Sequence, residues 1–185
     1  MTFELKLSLP EVPRVTTTVA PEYDPELDDV GALLRDVCVA LEDAGASFIV
    51  QICSTKLWPV TVRTDLLVVV EQLAPVLAAL EGGQPTKLEF YEQGIEKVVS
   101  LVPDRDTVLV ECTDMIRKSS SEAVSAMLAL GTVLDELCVL SRDFLLASEV
   151  CCSNLTKHPW FVAFSSELYR NMDLASARVL KSSPV

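Results

Sequence analysis

The chain has 185 residues, half of them apolar, and its 27 acidic side chains against 15 basic ones give a net charge of −12. This length is typical of a single globular domain, which we expect over residues 1–185, and the composition excludes polar disorder and fibrous repeats. The acidic balance excludes binding to nucleic acid or to anionic lipid through a basic face, and it favours a basic partner.

The first predicted element is a strand, because residues 2–9 alternate between polar and apolar side chains. Prolines interrupt the segment from residue 10 to residue 25, which we expect to be mostly loop. A helix follows and ends at Gly45, because apolar residues recur three and four positions apart. Its apolar stripe consists of Leu27, Val30, Leu34, Val37, Leu41 and Ala44.

The opposite face of this helix is predicted to be acidic. Between Glu22 and Asp43 the chain has eight acidic residues and one basic residue. A solvated helix face accounts for the spacing of these residues, but an ordinary surface mixes both signs of charge. A surface that meets a basic partner has this bias. We therefore predict partner contacts at an acidic strip that consists of Asp28, Asp29, Asp36, Glu42 and Asp43.

The middle of the chain is predicted to contain four strands and one helix. Residues 47–53 form a candidate inner strand, and a helix follows from Thr64 to the two glycines at 82 and 83. Residues 87–91, 95–102 and 107–112 then form an antiparallel meander. The bend between the first two of these strands gives a second set of predicted partner contacts, which are Phe90, Tyr91 and Glu92.

The C-terminal part is predicted to be helical. Ser119 and Glu122 have capping-box spacing before a helix expected from residue 123 to about Ser148, and Pro159 suits the first turn of a last helix. The predicted order is β, α, β, α, β, β, β, α, α. This order indicates an α+β fold in which four main helices cover a mixed or mostly antiparallel sheet of about five strands.

Few residues suggest chemistry. Cys151, Cys152 and His158 lie in one connector, so a thiol enzyme that uses either cysteine with the histidine is one hypothesis. Their spacing matches no zinc motif, and no phosphate-binding loop or nucleophile elbow is present, so we expect neither a metal nor a cofactor. The six cysteines are scattered, which favours reduced and mostly buried thiols.

The sequence also predicts a cytoplasmic protein. The N-terminal residues do not have the basic segment and apolar core of a secretory signal. No apolar run approaches the roughly 20 residues that a membrane span needs. The expected partner is therefore another protein, and the sequence leaves the oligomeric state open.

Four segments of the chain carry a resemblance to known proteins. They are Trp58-Pro-Val-Thr-Val-Arg-Thr-Asp-Leu, Glu71-Gln-Leu, Leu88-Glu-Phe-Tyr-Glu-Gln-Gly-Ile-Glu and His158-Pro-Trp-Phe. With these segments the chain resembles small bacterial proteins of actinobacterial type. In size, charge and lack of active-site motifs it resembles the acidic cytosolic immunity proteins of polymorphic toxin systems.

This resemblance implies a stoichiometric inhibitor that occludes the active site of a basic toxin domain. It assigns no binding residue to a numbered position. A third hypothesis, an acidic chaperone for a secreted effector, has the same composition and would bind its client in a partly folded form.

Overall fold

The computed structural model describes residues 2–14, 21–54, 56–91, 95–115 and 124–182. The strands are β1 (Phe3–Ser8), β2 (Ser47–Ile52), β3 (Thr86–Phe90), β4 (Lys97–Asp104), β5 (Thr107–Asp114) and β6 (Val124–Ala129). The helices are α1 (Val30–Asp43), α2 (Leu67–Glu81), α3 (Leu130–Cys151) and α4 (Pro159–Ser182), and a π-helical turn, Val62–Leu66, precedes α2. The predicted α+β class is confirmed.

The strands form two antiparallel sheets where one sheet was predicted. β1 pairs with β2, and the second sheet has the order β3-β4-β5-β6. The two sheets meet where β2 ends, because the Cys112 thiol on β5 contacts the Ile52 carbonyl oxygen at 3.9 Å and the Cys53 thiol contacts the Val110 carbonyl oxygen at 3.7 Å. Among the described strands every pairing is antiparallel.

The helix predicted from residue 123 is wrong in its first part. Residues 124–129 form β6, and α3 begins at Leu130, whose N–H donates to the carbonyl of Asp106 on the β5 side of the sheet. The spacing of Val124, Met127 and Leu128 is compatible with a helix, but pairing with β5 supplies a ladder of backbone hydrogen bonds that the local pattern does not reveal. Ser119 and Glu122 lie outside the described residues.

The core is one contiguous cluster of buried side chains from both sheets and all four helices. The inner face of the four-stranded sheet contributes Leu88, Val99 and Val110 to this cluster, and α2 and α3 pack in the same interior. On the outer face the register aligns Val102, Leu109 and Met127 across β4, β5 and β6. We call these three residues the outer row.

A side chain of α4 binds the C-terminal end of α2. Arg178 of α4 donates hydrogen bonds to the carbonyl oxygens of Leu80 and Glu81. Carbonyl groups at the end of a helix need such donors from outside the helix.

In the described part of the chain, no helix combines the length and the apolarity that a membrane crossing requires.

Candidate acidic docking site

The N-terminal end of the acidic strip determines where α1 begins. Asp29 is the N-cap, and its carboxylate accepts hydrogen bonds from the N–H groups of Gly31 at 2.9 Å and Ala32 at 3.3 Å. Asp28 accepts a hydrogen bond from the N–H of Asp24 at 2.9 Å. Because the cap lies at Asp29, Leu27 is outside the helix, and its predicted place in the buried stripe is wrong.

Leu27 is instead displayed at the tip of a turn. The N–H groups of Leu27 and Asp28 both donate to the Asp24 carbonyl oxygen, and the Asp24 carboxylate accepts from the N–H of Glu26. These bonds fix the segment as a tight turn, which leaves Leu27 85% exposed. A leucine this exposed, with carboxylates on both sides of it in the chain, is a candidate contact residue.

The C-terminal end of the acidic strip forms ion pairs with a basic side chain. The Arg63 guanidinium, from the π-helical turn, lies 2.7 Å from the Glu42 carboxylate and 3.5 Å from that of Asp43. Midway along the helix, Asp36 accepts a hydrogen bond from the Tyr23 hydroxyl at 2.8 Å. The predicted strip is therefore not one uniform surface, since Arg63 offsets the negative charge at its far end.

A carboxylate from α2 joins the N-terminal end. A methyl group added at Gly31 would lie 2.9 Å from the Oε1 atom of Glu71, so Glu71 reaches the first turn of α1. Burial and the neighbouring Asp29 carboxylate raise the pKa of Glu71, and Arg35 opposes the effect. Sequence reasoning missed Glu71 because about 40 residues separate it from Asp29 and only the packing of α2 on α1 brings the two together.

These residues define a surface that differs from the predicted strip. It includes the exposed Leu27 and carboxylates from the turn, from the start of α1 and from α2. We call it the acidic patch, and its members are Asp24, Glu26, Leu27, Asp28, Asp29 and Glu71.

An aromatic cluster ties the segment before the patch to the start of α4. The ring of Tyr23 lies 5.2 Å from that of His158 and 5.7 Å from that of Trp160, and the last two rings are 4.8 Å apart. The Nδ1 atom of His158 accepts a hydrogen bond from the Trp160 N–H at 3.2 Å. This histidine therefore caps the start of α4, which Pro159 opens as predicted.

The thiols near His158 are held as neutral groups. Cys152 donates a hydrogen bond to the Ser148 carbonyl oxygen at 3.1 Å, and both Cys151 and Cys152 are buried. Burial raises the pKa of Cys151, and burial together with the neighbouring Cys151 raises the pKa of Cys152 to about 12. A thiol activated as a nucleophile has the opposite shift, because the thiolate is the reactive form.

The second set of predicted partner contacts, at the bend after β3, includes a buried residue. Phe90 is only 1% exposed and packs edge-to-face on Trp58 with ring centroids 5.1 Å apart, so its predicted role as a contact residue is wrong. Phe90 lies two residues after Leu88 on β3, so both side chains are on the same inner face, and Leu88 is also buried. Tyr91 is exposed, and Glu92 lies outside the described residues.

The described residues contain no group of three or more side chains that could hold a metal ion. Comparison with protein-family models, with curated proteins and with solved structures gives no match for this chain.

Proposed function

We propose that this chain is a protein-binding module that docks a basic partner on the acidic patch. In its most specific form, the proposal is an immunity protein that neutralises a basic toxin domain in the bacterial cytoplasm by covering its active site. The observation that carries the proposal is the exposed Leu27, which lies between Glu26 and Asp28 in the chain and two residues before Asp29, where the Glu71 carboxylate of α2 converges.

This arrangement suits a protein interface for two physical reasons. A protein interface has an apolar core within a polar rim, and an exposed Leu27 with carboxylates beside it has this composition. These carboxylates steer a basic surface toward Leu27 and raise the association rate. Glu71 adds to this effect because its carboxylate is close to Asp29 and the two repel each other, a repulsion that a cationic side chain of the partner would relieve.

The buried thiols favour this proposal over a thiol enzyme. Because burial raises the pKa values of Cys151 and Cys152, little thiolate is present at neutral pH. The decisive variant combines Cys151→Ser, Cys152→Ser and His158→Asn. It should retain full biological activity once circular dichroism has shown that it is folded, and a folded but inactive variant would support the enzyme instead.

The proposal is tested by rescue from toxicity. The products of the genes adjacent to the one for this chain are expressed in a bacterial host, alone and with the chain, and the survivors are counted. A toxic product that the chain neutralises identifies the partner, and its affinity and association rate for the purified chain follow from surface binding measurements. If no neighbouring product is toxic, or if none is neutralised, the immunity function is rejected.

Two variants then test the patch itself. Leu27→Ala should weaken binding by roughly tenfold or more, mainly by faster dissociation, as truncation of an anchor does. Glu26→Lys with Glu71→Gln should slow association by roughly tenfold at low salt, and the defect should fade as salt is added. The matched control makes the same change of charge elsewhere, with Glu11→Lys and Glu167→Gln, and should bind like the wild type. Equal effects of patch and control variants would move the interface away from Leu27.

A further inference from the structure

Two of the outer strand edges in this fold are closed by side chains. On β3, the Gln72 side chain both accepts from the N–H of Glu89 and donates to its carbonyl oxygen, each at 2.9 Å. On β1, the Glu136 carboxylate forms a hydrogen bond with the backbone of Leu5. Such contacts occupy the backbone groups through which an edge strand would pair with another chain.

Among the described residues, no side chain bonds to the outer edge of β6 in this way. Within the described ranges β6 is the last strand of its sheet, and its six residues contain no charge, proline or bulge. Met127 at its centre is 56% exposed. Natural proteins usually protect an edge of this kind with lysine, proline or a covering element, so an unprotected edge indicates a surface used for pairing.

The register of β6 shows which of its backbone groups face outward. Leu130 donates to Asp106 at 2.8 Å, and in the β5–β6 ladder Asp106 stands opposite Leu130. In an antiparallel ladder the hydrogen-bonded pairs alternate with pairs that are not bonded. The even-numbered residues of β6 therefore bond to β5. The odd-numbered residues direct their N–H and carbonyl groups away from the sheet, and they are Ser125, Met127 and Ala129.

We propose that β6 pairs with β6 of a second copy of this chain, antiparallel and centred on Met127. In this register Met127 lies opposite Met127 of the second copy, and Ser125 lies opposite Ala129. All the outward backbone groups then find partners, and no charged side chain meets another along the strand. The two four-stranded sheets become one continuous sheet across a twofold axis.

The outer row supports a second copy as the partner. Val102, Leu109 and Met127 lie side by side on the exposed face, and a twofold axis through Met127 extends this row into the same row of the second copy. The pairing is isologous, so one uncharged strand satisfies both halves of the interface. An unrelated peptide would extend the sheet without continuing the row.

The net charge sets the salt dependence of this dimer. Each copy has a net charge of −12, so the two copies repel one another at long range, and salt should tighten the dimer by screening this repulsion. The docking of a basic partner on the acidic patch has the opposite salt dependence. The two surfaces are therefore distinguishable in the same buffer series, and the dimer does not depend on the proposed function.

The test is the mass in solution of the full chain and of two charge variants. At about 100 μM protein, light scattering after size exclusion should give twice the monomer mass of 20.2 kDa for the wild type. Met127→Lys and Met127→Glu should each be monomeric, because like charges would face each other across the axis. An equimolar mixture of the two should form a heterodimer, because position 127 then pairs lysine with glutamate. Val139→Lys, which changes a partly exposed valine on α3, is the matched control and should remain dimeric.

Three results would overturn the proposal. A wild type that stays monomeric throughout the salt series would exclude the dimer. Charge variants that remain dimeric would place the interface elsewhere. Folded monomeric variants whose mixture does not associate would exclude the register centred on Met127. Circular dichroism of each variant shows whether it is folded. If one of the two Met127 variants does not fold, the other still tests whether a charge at this position prevents dimerisation.

Discussion

The carboxylate of Asp29 has two roles, one in capping a helix and one in the acidic patch. It caps α1 through the N–H groups of Gly31 and Ala32, and it belongs to the acidic patch. A Cβ at position 31 would come within 2.9 Å of the Glu71 Oε1 atom and displace this flexible carboxylate from its place near Asp29. Gly31 therefore leaves room for the two carboxylates to converge.

The capping role predicts the cost of removing the Asp29 carboxylate. Asp29→Ala should lower the free energy of unfolding by about 1 kcal/mol, because two N–H groups of the first turn lose their acceptor. Asp29→Asn keeps an acceptor oxygen and should cost less. Urea denaturation followed by circular dichroism measures both values. Equal stabilities of the alanine variant and the wild type would mean that water replaces the cap without loss.

The buried thiols predict a loss of stability in alkali. The pKa of Cys112 is raised to about 12, chiefly by burial, from the usual value of 9, and that of Cys152 is also raised to about 12. Above pH 9 the unfolded chain releases these protons and the folded chain retains them, so unfolding becomes more favourable up to about pH 12. The urea midpoint should therefore fall between pH 9 and pH 11. Cys152→Ser should flatten this dependence, and an unchanged slope in that variant would assign the effect to other groups.

Elements with a strong local pattern could be predicted from the sequence, and those held by distant contacts could not. The alternation from Phe3 to Ser8 predicts β1, and Gly45, which adopts a positive φ of 89°, marks the end of α1 as expected. The sequence of β6 suits a helix equally, and its state is decided by pairing with β5. The acidic patch was predicted in part, through Asp28 and Asp29, because Glu71 and the turn at Leu27 depend on tertiary contacts.

The alternation of hydrogen bonds along β6 predicts unequal effects of proline at neighbouring positions. Ala126→Pro removes an N–H that bonds to β5 and should lower the free energy of unfolding by about 1–3 kcal/mol. Met127→Pro removes an N–H that points away from β5 and should cost clearly less. Thermal melts at low micromolar concentration, where association contributes little, compare the two variants. A helix over residues 124–129 would suffer similarly from both, and such a result would contradict β6.

The whole molecule carries far more negative charge than its ion pairs offset. In the described part of the chain, basic side chains in ion pairs are few, and these pairs are largely exposed, where such pairs contribute little. The net charge of −12 instead produces repulsion across the folded surface. Asp29 and Glu71, two carboxylates of the acidic patch from separate parts of the chain, contribute to this repulsion.

The excess charge predicts that moderate salt stabilises the fold. Between about 10 mM and 100 mM sodium chloride the screening length falls from about 30 Å to about 10 Å, which weakens long-range repulsion more than it weakens close ion pairs. The urea midpoint should rise across this range at a protein concentration where the chain is monomeric. The Arg63→Gln variant should show a larger rise, since it adds to the unbalanced charge. A falling midpoint would mean that the ion pairs outweigh the repulsion.

The place of β1 in the fold has a consequence for synthesis on the ribosome. β1 leaves the ribosome before β2, its strand partner, and long before α3, which packs against it. At about 5–20 residues per second, the interval between residue 8 and residue 151 is roughly 7–30 s. During that time the apolar side chains of Phe3, Leu5 and Leu7 are without their final cover. A nascent chain of this protein therefore exposes an apolar segment that ribosome-associated chaperones are suited to bind until α3 has been made.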